Sequence, residues 1–268
     1  MGVSLPYNNP SCPIVRLVDL HKRFGDLVVL AGLDLELQEG QTTVVIGESG
    51  SGKSVLLKHM VVLLRPDSGE VYYRDQRIDQ LPERELTKVR QKLGFLFQLS
   101  ALFDSMTVGE NVAYPIREHT RKSKREIEQI VRQKLSMVGL DGLQSKMPAE
   151  LSGGQKKRVA LARAIANDPE IILYDEPTTG LDPPRSDVIN ELILKLQREL
   201  HVTSVVVTHD MVSARKVADR IVMLHQGRII FDGTSETIMT TTDPQVRCFV
   251  EGRCSEEVLR ELQKAGAA

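Results

Sequence analysis

The chain has 268 residues, of which 41% are hydrophobic and 26% charged, enough to bury a full core as one large domain or a domain with an insert. A net charge of −1, no Trp and 4% aromatics exclude a global field for nucleic acid and a base-stacking surface. The three cysteines, Cys12, Cys248 and Cys254, lack any C-x-x-C spacing and predict reduced thiols rather than metal ligands or disulfides.

Residues 1–13 are polar and Pro-rich, a flexible arm by expectation, without the positive-then-apolar order of a secretory leader. No apolar run approaches the roughly 18 residues of a membrane span, so work at a membrane requires another chain as anchor. From Ile14 the apolar residues alternate as in strands: Ile14–Leu17, then Leu33–Leu37 before a turn at Glu39-Gly40. Thr42–Ile46 is a continuous β-branched run, the pattern of a parallel strand buried on both faces. A helix is predicted from near Lys53 to about Leu64, stopped by Arg65-Pro66-Asp67-Ser68-Gly69.

Between Lys122 and Val138, Ile127, Ile130, Val131, Leu135 and Val138 fall at helical spacing among charges, and Lys156 to Ala166 is an Ala-rich helix. Ile171–Tyr174 and Thr203–Val207 are two more buried strands, with a helix around Asp187–Leu200 between them. The expectation is an α/β fold: a parallel-sheet core over 14–242, a helical subdomain inserted at about 99–165, and a tail 243–268. The tail carries a short helix from Ser255, with Glu256 and Glu257 at its positive end.

Four motifs sit on this frame. Gly47-Glu48-Ser49-Gly50-Ser51-Gly52-Lys53-Ser54 is a complete phosphate-binding loop, G-x-x-x-x-G-K-[ST], between a strand and a helix. Its glycines let backbone N–H groups turn toward phosphate, Lys53 reaches the β- and γ-phosphates, and Ser54 ligates Mg²⁺. Asp175 ends an aliphatic strand and is a second Mg²⁺ ligand, while Glu176, turned by Pro177, is the candidate general base for water. Ser152-Gly153-Gly154 opens the helix Gln155–Ala166 as a second anion-binding helix terminus. The phosphate loop, Asp175-Glu176 and His209 each follow a strand, which puts them on the carboxyl edge where open α/β sheets bind ligands.

With these residues the chain resembles the nucleotide-binding subunits of ABC transporters over about 14–235. The matching segments are the loop 47–54, Gln98 as Q-loop, Leu151-Ser152-Gly153-Gly154-Gln155, Ile171–Glu176, Gly180-Leu181-Asp182 as D-loop, and His209 as switch histidine. The resemblance implies a P-loop NTPase (RecA-like) core with added antiparallel strands and an inserted α-helical subdomain, and ATP with Mg²⁺ as cofactors. It implies Phe24 stacked on adenine, where Tyr is commoner in the family, and Gly47, Glu48, Ser49, Gly50, Ser51, Gly52, Lys53, Ser54 and Val55 around the phosphates. Metal would be held by Ser54, Gln98 and Asp175, with Glu176, His209, Lys53 and Gln98 catalytic. Ser152, Gly153, Gly154 and Gln155 of one subunit complete the site of a second copy, head to tail, beneath an integral-membrane permease. That places the chain at the cytoplasmic face of the inner membrane as a peripheral subunit.

The stretch Phe97 to Val108, followed by Glu110 to Thr120, is similar to the ATPases of MCE-type lipid transporters, the Mla group included, as is Asp243 to Phe249. Gln155 stands where some Mla ATPases have Met, which favours the wider MCE-linked group. The implied cargo is a phospholipid and the implied further partner an MCE-domain protein. The alternative is the ATPase of an amino-acid or other small-solute importer, which shares every catalytic motif. Soluble ABC ATPases of DNA repair or translation usually carry tandem cassettes or a coiled-coil insert, and P-loop kinases have no use for the 151–155 motif.

Overall fold

A computed structural model of the chain describes residues 13–253. The helix expected from Ser255, and all but residue 13 of the N-terminal arm, lie outside them. Two strands, β1 (Val15–Phe24) and β2 (Leu27–Leu37), form a long hairpin, and β3 (Thr42–Ile46) leads through the phosphate loop into α1 (Lys53–Met60). This helix stops before the predicted Leu64, since Val62 takes φ 51°. Next come β4 (Ser68–Tyr73), the short β5 (Gln76–Arg77), α2 (Glu83–Arg90) and β6 (Leu93–Leu96). Three helices, α3 (Val108–His119), α4 (Lys124–Met137) and α5 (Gly153–Ala164), separate β6 from β7 (Ile171–Asp175). The chain continues through α6 (Pro183–Leu200), β8 (Thr203–Thr208), α7 (Met211–Val217), β9 (Arg220–His225), β10 (Arg228–Gly233), α8 (Ser235–Met239) and α9 (Pro244–Glu251).

The strands make two sheets. One has six strands in the order β10-β9-β3-β8-β7-β6, all parallel except the edge strand β10. The other is antiparallel, in the order β2-β1-β4-β5. Side chains alternate across a strand, and the parallel sheet buries both faces. In β7, Ile172 and Tyr174 join one apolar cluster with α3 to α7, while Ile171 and Leu173 join another with α1 and the antiparallel sheet. That double burial is why β3, β7 and β8 read as unbroken apolar or β-branched runs.

Several elements escaped sequence patterning. Helix α3 contains Pro115, a residue that normally interrupts a helix. The helix is held instead by a capping box of Thr107 and Glu110 and by Asn111, whose amide donates to the carbonyls of Phe103, Met106 and Thr107. The β9–β10 hairpin turns on Gln226 and Gly227, both at positive φ, a two-residue turn whose Gly was a usable signal. Cys248 in α9 is disulfide-bonded, which corrects the expectation of reduced thiols.

A charged cluster ties the two sheets together at the end away from the phosphate loop. Glu170, just before β7, accepts from Tyr73 Oη at 2.6 Å and Arg74 Nη2 at 2.8 Å, and pairs with Lys92 at 3.1 Å. Burial opposes its charge, but these partners outweigh burial and bring the carboxyl down to about 2. A depressed carboxylate stabilises the fold above its unfolded pKa, and that stability is lost as the pH falls from there through about 2. Glu170→Gln is therefore expected to lower the melting temperature at pH 7 by a few degrees and to flatten its decline on acidification. Thermal melts from neutral to acid pH check this; parallel curves for the two proteins would count against it.

Candidate functional site

The phosphate loop folds as it does because its glycines are obligatory. Gly47 and Gly52 sit at φ 153° and 99°, and a Cβ on them would lie 2.4 Å from Leu224 O and 2.8 Å from Val29 Cγ1. Lys53, 6% exposed at the start of α1, crosses back over the loop and donates to the carbonyls of Gly47 (2.8 Å) and Glu48 (2.7 Å). Burial lowers its pKa, opposed by the charges of Glu176, Asp175 and Glu48. Ser51 Oγ is buried with no hydrogen-bond partner among the described residues, a donor of the kind a phosphate oxygen takes up. Glu48, Ser49 and Gly50 form the outer side of the loop, and Val55 packs on the core while its carbonyl meets His59 Nδ1.

The end of β7 lies alongside. Ser54 Oγ donates to Asp175 Oδ1 at 2.7 Å, and both ends of that bond are hard oxygen donors. Burial raises the Asp175 pKa and the neighbouring Glu176 charge adds to the rise, so a divalent cation placed here would relieve a buried carboxylate. Glu176 is 8% exposed and has φ 47°, a left-handed conformation uncommon for a residue with a side chain. Its carboxylate is shared: His209 Nδ1 lies 3.0 Å from one oxygen and 2.9 Å from the other, and Thr179 Oγ1 donates at 3.1 Å. His209 reaches it because β7 and β8 are neighbours, with Asp175 opposite Val207.

Other expected residues stand apart from this group. Ser152 caps α5 in a reciprocal box with Gln155, and Gly153 and Gly154 fill its first turn, two residues earlier than predicted. Glycine is tolerated there because first-turn N–H groups lack helical partners anyway. Gly153 and Gly154 border the D-loop and α6, where a Cβ would stand 3.9 Å from Leu181 and 4.0 Å from Arg185. The N-terminus of α5 thus makes no hydrogen bond to the phosphate loop of its own chain among the described residues. Phe24 ends β1, 47% exposed, with the Lys22 ammonium 5.5 Å from its ring centre. The Gln98 side chain is exposed, and its backbone carbonyl accepts from Lys157 Nζ.

Sequence patterning missed two cations on α5. Lys157, 6% exposed, donates to the carbonyls of Gln98 and Glu176. Arg163 donates to Ala101 O (2.8 Å) and Ser100 O (2.9 Å), clamping two successive left-handed residues beyond Gln98. Beside that clamp lies a cleft walled by Phe95, Phe97, Phe103, Tyr114 and His119. Phe103 is 41% exposed and leans on Tyr114 at 4.9 Å, whereas Val108 is buried in the core.

Residues 30–179 match the family model described as ABC transporter. The chain is 43% identical to the intermembrane phospholipid transport system ATP-binding protein MlaF of Haemophilus influenzae, covering 89% of this chain and 90% of that one. It is 41% identical to a probable ribonucleotide transport ATP-binding protein of Mycobacterium tuberculosis, over 94% of this chain and 68% of that one. Among solved structures it is similar to a dimeric ATP-binding cassette in a post-hydrolysis state bound to ADP and phosphate, at a TM-score of 0.76 and 38% identity. That match covers 82% of this chain and 98% of the other.

Proposed function

Because the chain belongs to the ABC transporter family of ATP-binding subunits and is an ATPase, we propose that it powers a phospholipid transport system from the cytoplasmic face of the inner membrane. It works as a head-to-tail pair beneath an integral-membrane permease, with an MCE-domain protein as a further partner. The observation that carries the ATPase chemistry is the meeting of Lys53, Ser54, Asp175, Glu176 and His209 at one edge of one sheet. The lipid cargo rests on similarity to the Haemophilus protein over nearly the whole of both chains. No helix among the described residues is long and apolar enough to cross a membrane.

In this reading the phosphate-loop N–H groups and Lys53 hold the β- and γ-phosphates. Ser54, Asp175 and the Gln98 side chain would hold Mg²⁺, which would supply positive charge to offset that of the phosphates. Glu176 accepts a proton from the attacking water, and His209 keeps the carboxylate turned toward it. Phe24 offers an exposed ring to adenine. Because Ser152, Gly153 and Gly154 lie apart from the phosphate loop of their own chain, they serve the nucleotide of the second copy. Closure of the pair then depends on nucleotide at the joint.

The cleft beside Phe103 is the proposed seat of a permease segment, an apolar anchor in a walled groove. Phe103→Glu is expected to abolish ATP-driven transport by the copurified complex while the isolated subunit keeps its ATPase rate. The decisive assay is ATP-dependent movement of labelled phospholipid by that complex. The mycobacterial relative's name makes ribonucleotide transport a competing outcome. Uptake of labelled ribonucleotide or amino acid into proteoliposomes, with no lipid movement, would overturn the lipid reading.

A further inference from the structure

Lys157 is a buried charge in a place where packing alone asks only for an apolar side chain. Its ammonium donates to Gln98 O at 3.2 Å and Glu176 O at 3.3 Å, and both partners are neutral carbonyls. Burying an ammonium on such partners costs free energy that a methionine at the same site would not incur. The two carbonyls also stand in a related place. Leu96 pairs with Tyr174 across β6 and β7, so Gln98 and Glu176 are each two residues past the same register point on adjacent parallel strands.

Glu176 needs holding. Its φ of 47° is unfavourable for a residue with a Cβ, and Pro177 follows it, whose ring favours extended backbone in the preceding residue. Its N–H donates to Val207 O at 3.0 Å, and its carbonyl accepts from Lys157 Nζ and from the Thr179 N–H, each at 3.3 Å, so the peptides on both sides of its Cα are held. Without Lys157 the carbonyl keeps only the Thr179 N–H, so the strained backbone at Glu176, which aims the carboxylate at His209, is held less firmly.

We propose that Lys157 is a positioning residue for ATP hydrolysis, one ammonium that holds the strained Glu176 peptide and locks it to the Gln98 peptide so that both loops move as one. The helix that carries Lys157 also carries Ser152-Gly153-Gly154 at its first turn and Arg163, with its grip on Ser100 and Ala101, near its end. A tilt of α5 therefore shifts the base and the Q-loop in the same movement. The inference rests on the reading of Glu176 as the base.

The test uses the full-length chain with three measurements: steady-state ATPase, ATP affinity and amide hydrogen exchange. Lys157→Met is expected to lower kcat by about tenfold or more while ATP affinity stays within about twofold, the pattern of a lost transition-state arrangement. Exchange should rise together in residues 98–103 and 176–181 and stay unchanged in β3 and β8. Lys157→Arg, which keeps a long cationic donor, should recover most of the rate. If Lys157→Met does not fold, Lys157→Gln is judged by the same criteria with a smaller loss. An unchanged kcat, affinity falling in step with kcat, or exchange rising in one loop alone overturns the proposal. If Glu176→Gln itself turns over normally, the reading of the base has failed; if that variant is inactive and Lys157→Met is normal, only the present inference has.

Discussion

Glu176→Gln is expected to cut ATP turnover by about 10²- to 10⁴-fold, the usual worth of a positioned general base, while ATP still binds. Binding uses the phosphate loop and Lys53, and among the described residues neither makes a hydrogen bond to the Glu176 side chain. The amide is the same size and still bonds His209 or Thr179, so the strained turn survives and the loss falls on proton transfer. With hydrolysis stopped and binding intact, the variant should accumulate as an ATP-bound pair. Sedimentation with and without Mg-ATP, beside a turnover assay, measures both effects. Turnover within a few-fold of the unmodified protein would remove Glu176 from the role of base.

Lys53→Ala is expected to fail earlier in the cycle, losing ATP affinity and hydrolysis together. Its ammonium is buried among loop carbonyls, with Asp175 and Glu176 close enough to favour its charge. Removing it takes away a charge-assisted contact to the phosphates and leaves that acidic side of the site uncompensated. The rate should fall about 10²-fold or more, the scale seen when one preorganised electrostatic group is lost. His209→Ala is the contrasting variant. It removes one partner of the Glu176 carboxylate and leaves the phosphate loop whole, so it should slow the chemical step with little change in affinity. A titration in which His209 mattered more for nucleotide affinity than Lys53 would show that this division of labour is wrong.

The site was legible in proportion to how local its causes are. The phosphate loop needs three glycines and a lysine within eight residues, so its chemistry is written contiguously. Thr42–Ile46, Ile171–Tyr174 and Thr203–Val207 announced buried strands because both faces of each had to be apolar or β-branched. Placing Asp175, Glu176 and His209 on one edge followed from strand direction alone. Helix α3 was not legible, since Pro115 argues against it and the bonds from Asn111 that sustain its start come from tertiary placement of the loop 103–107.

The sequence by itself determined the α/β class, the ATPase motifs and their order, and the family, because each rests on side chains a few residues apart. Tertiary structure alone decided that β7 lies between β6 and β8, which brings His209 onto Glu176 and sets the Gln98 and Glu176 carbonyls within reach of one lysine. Lys157 looked like one more charge in a helix, and Glu176 carried no mark of its left-handed backbone. Both properties belong to contacts between residues 19 or more apart in the chain, and no local pattern of hydrophobicity or glycine records which strands will become neighbours.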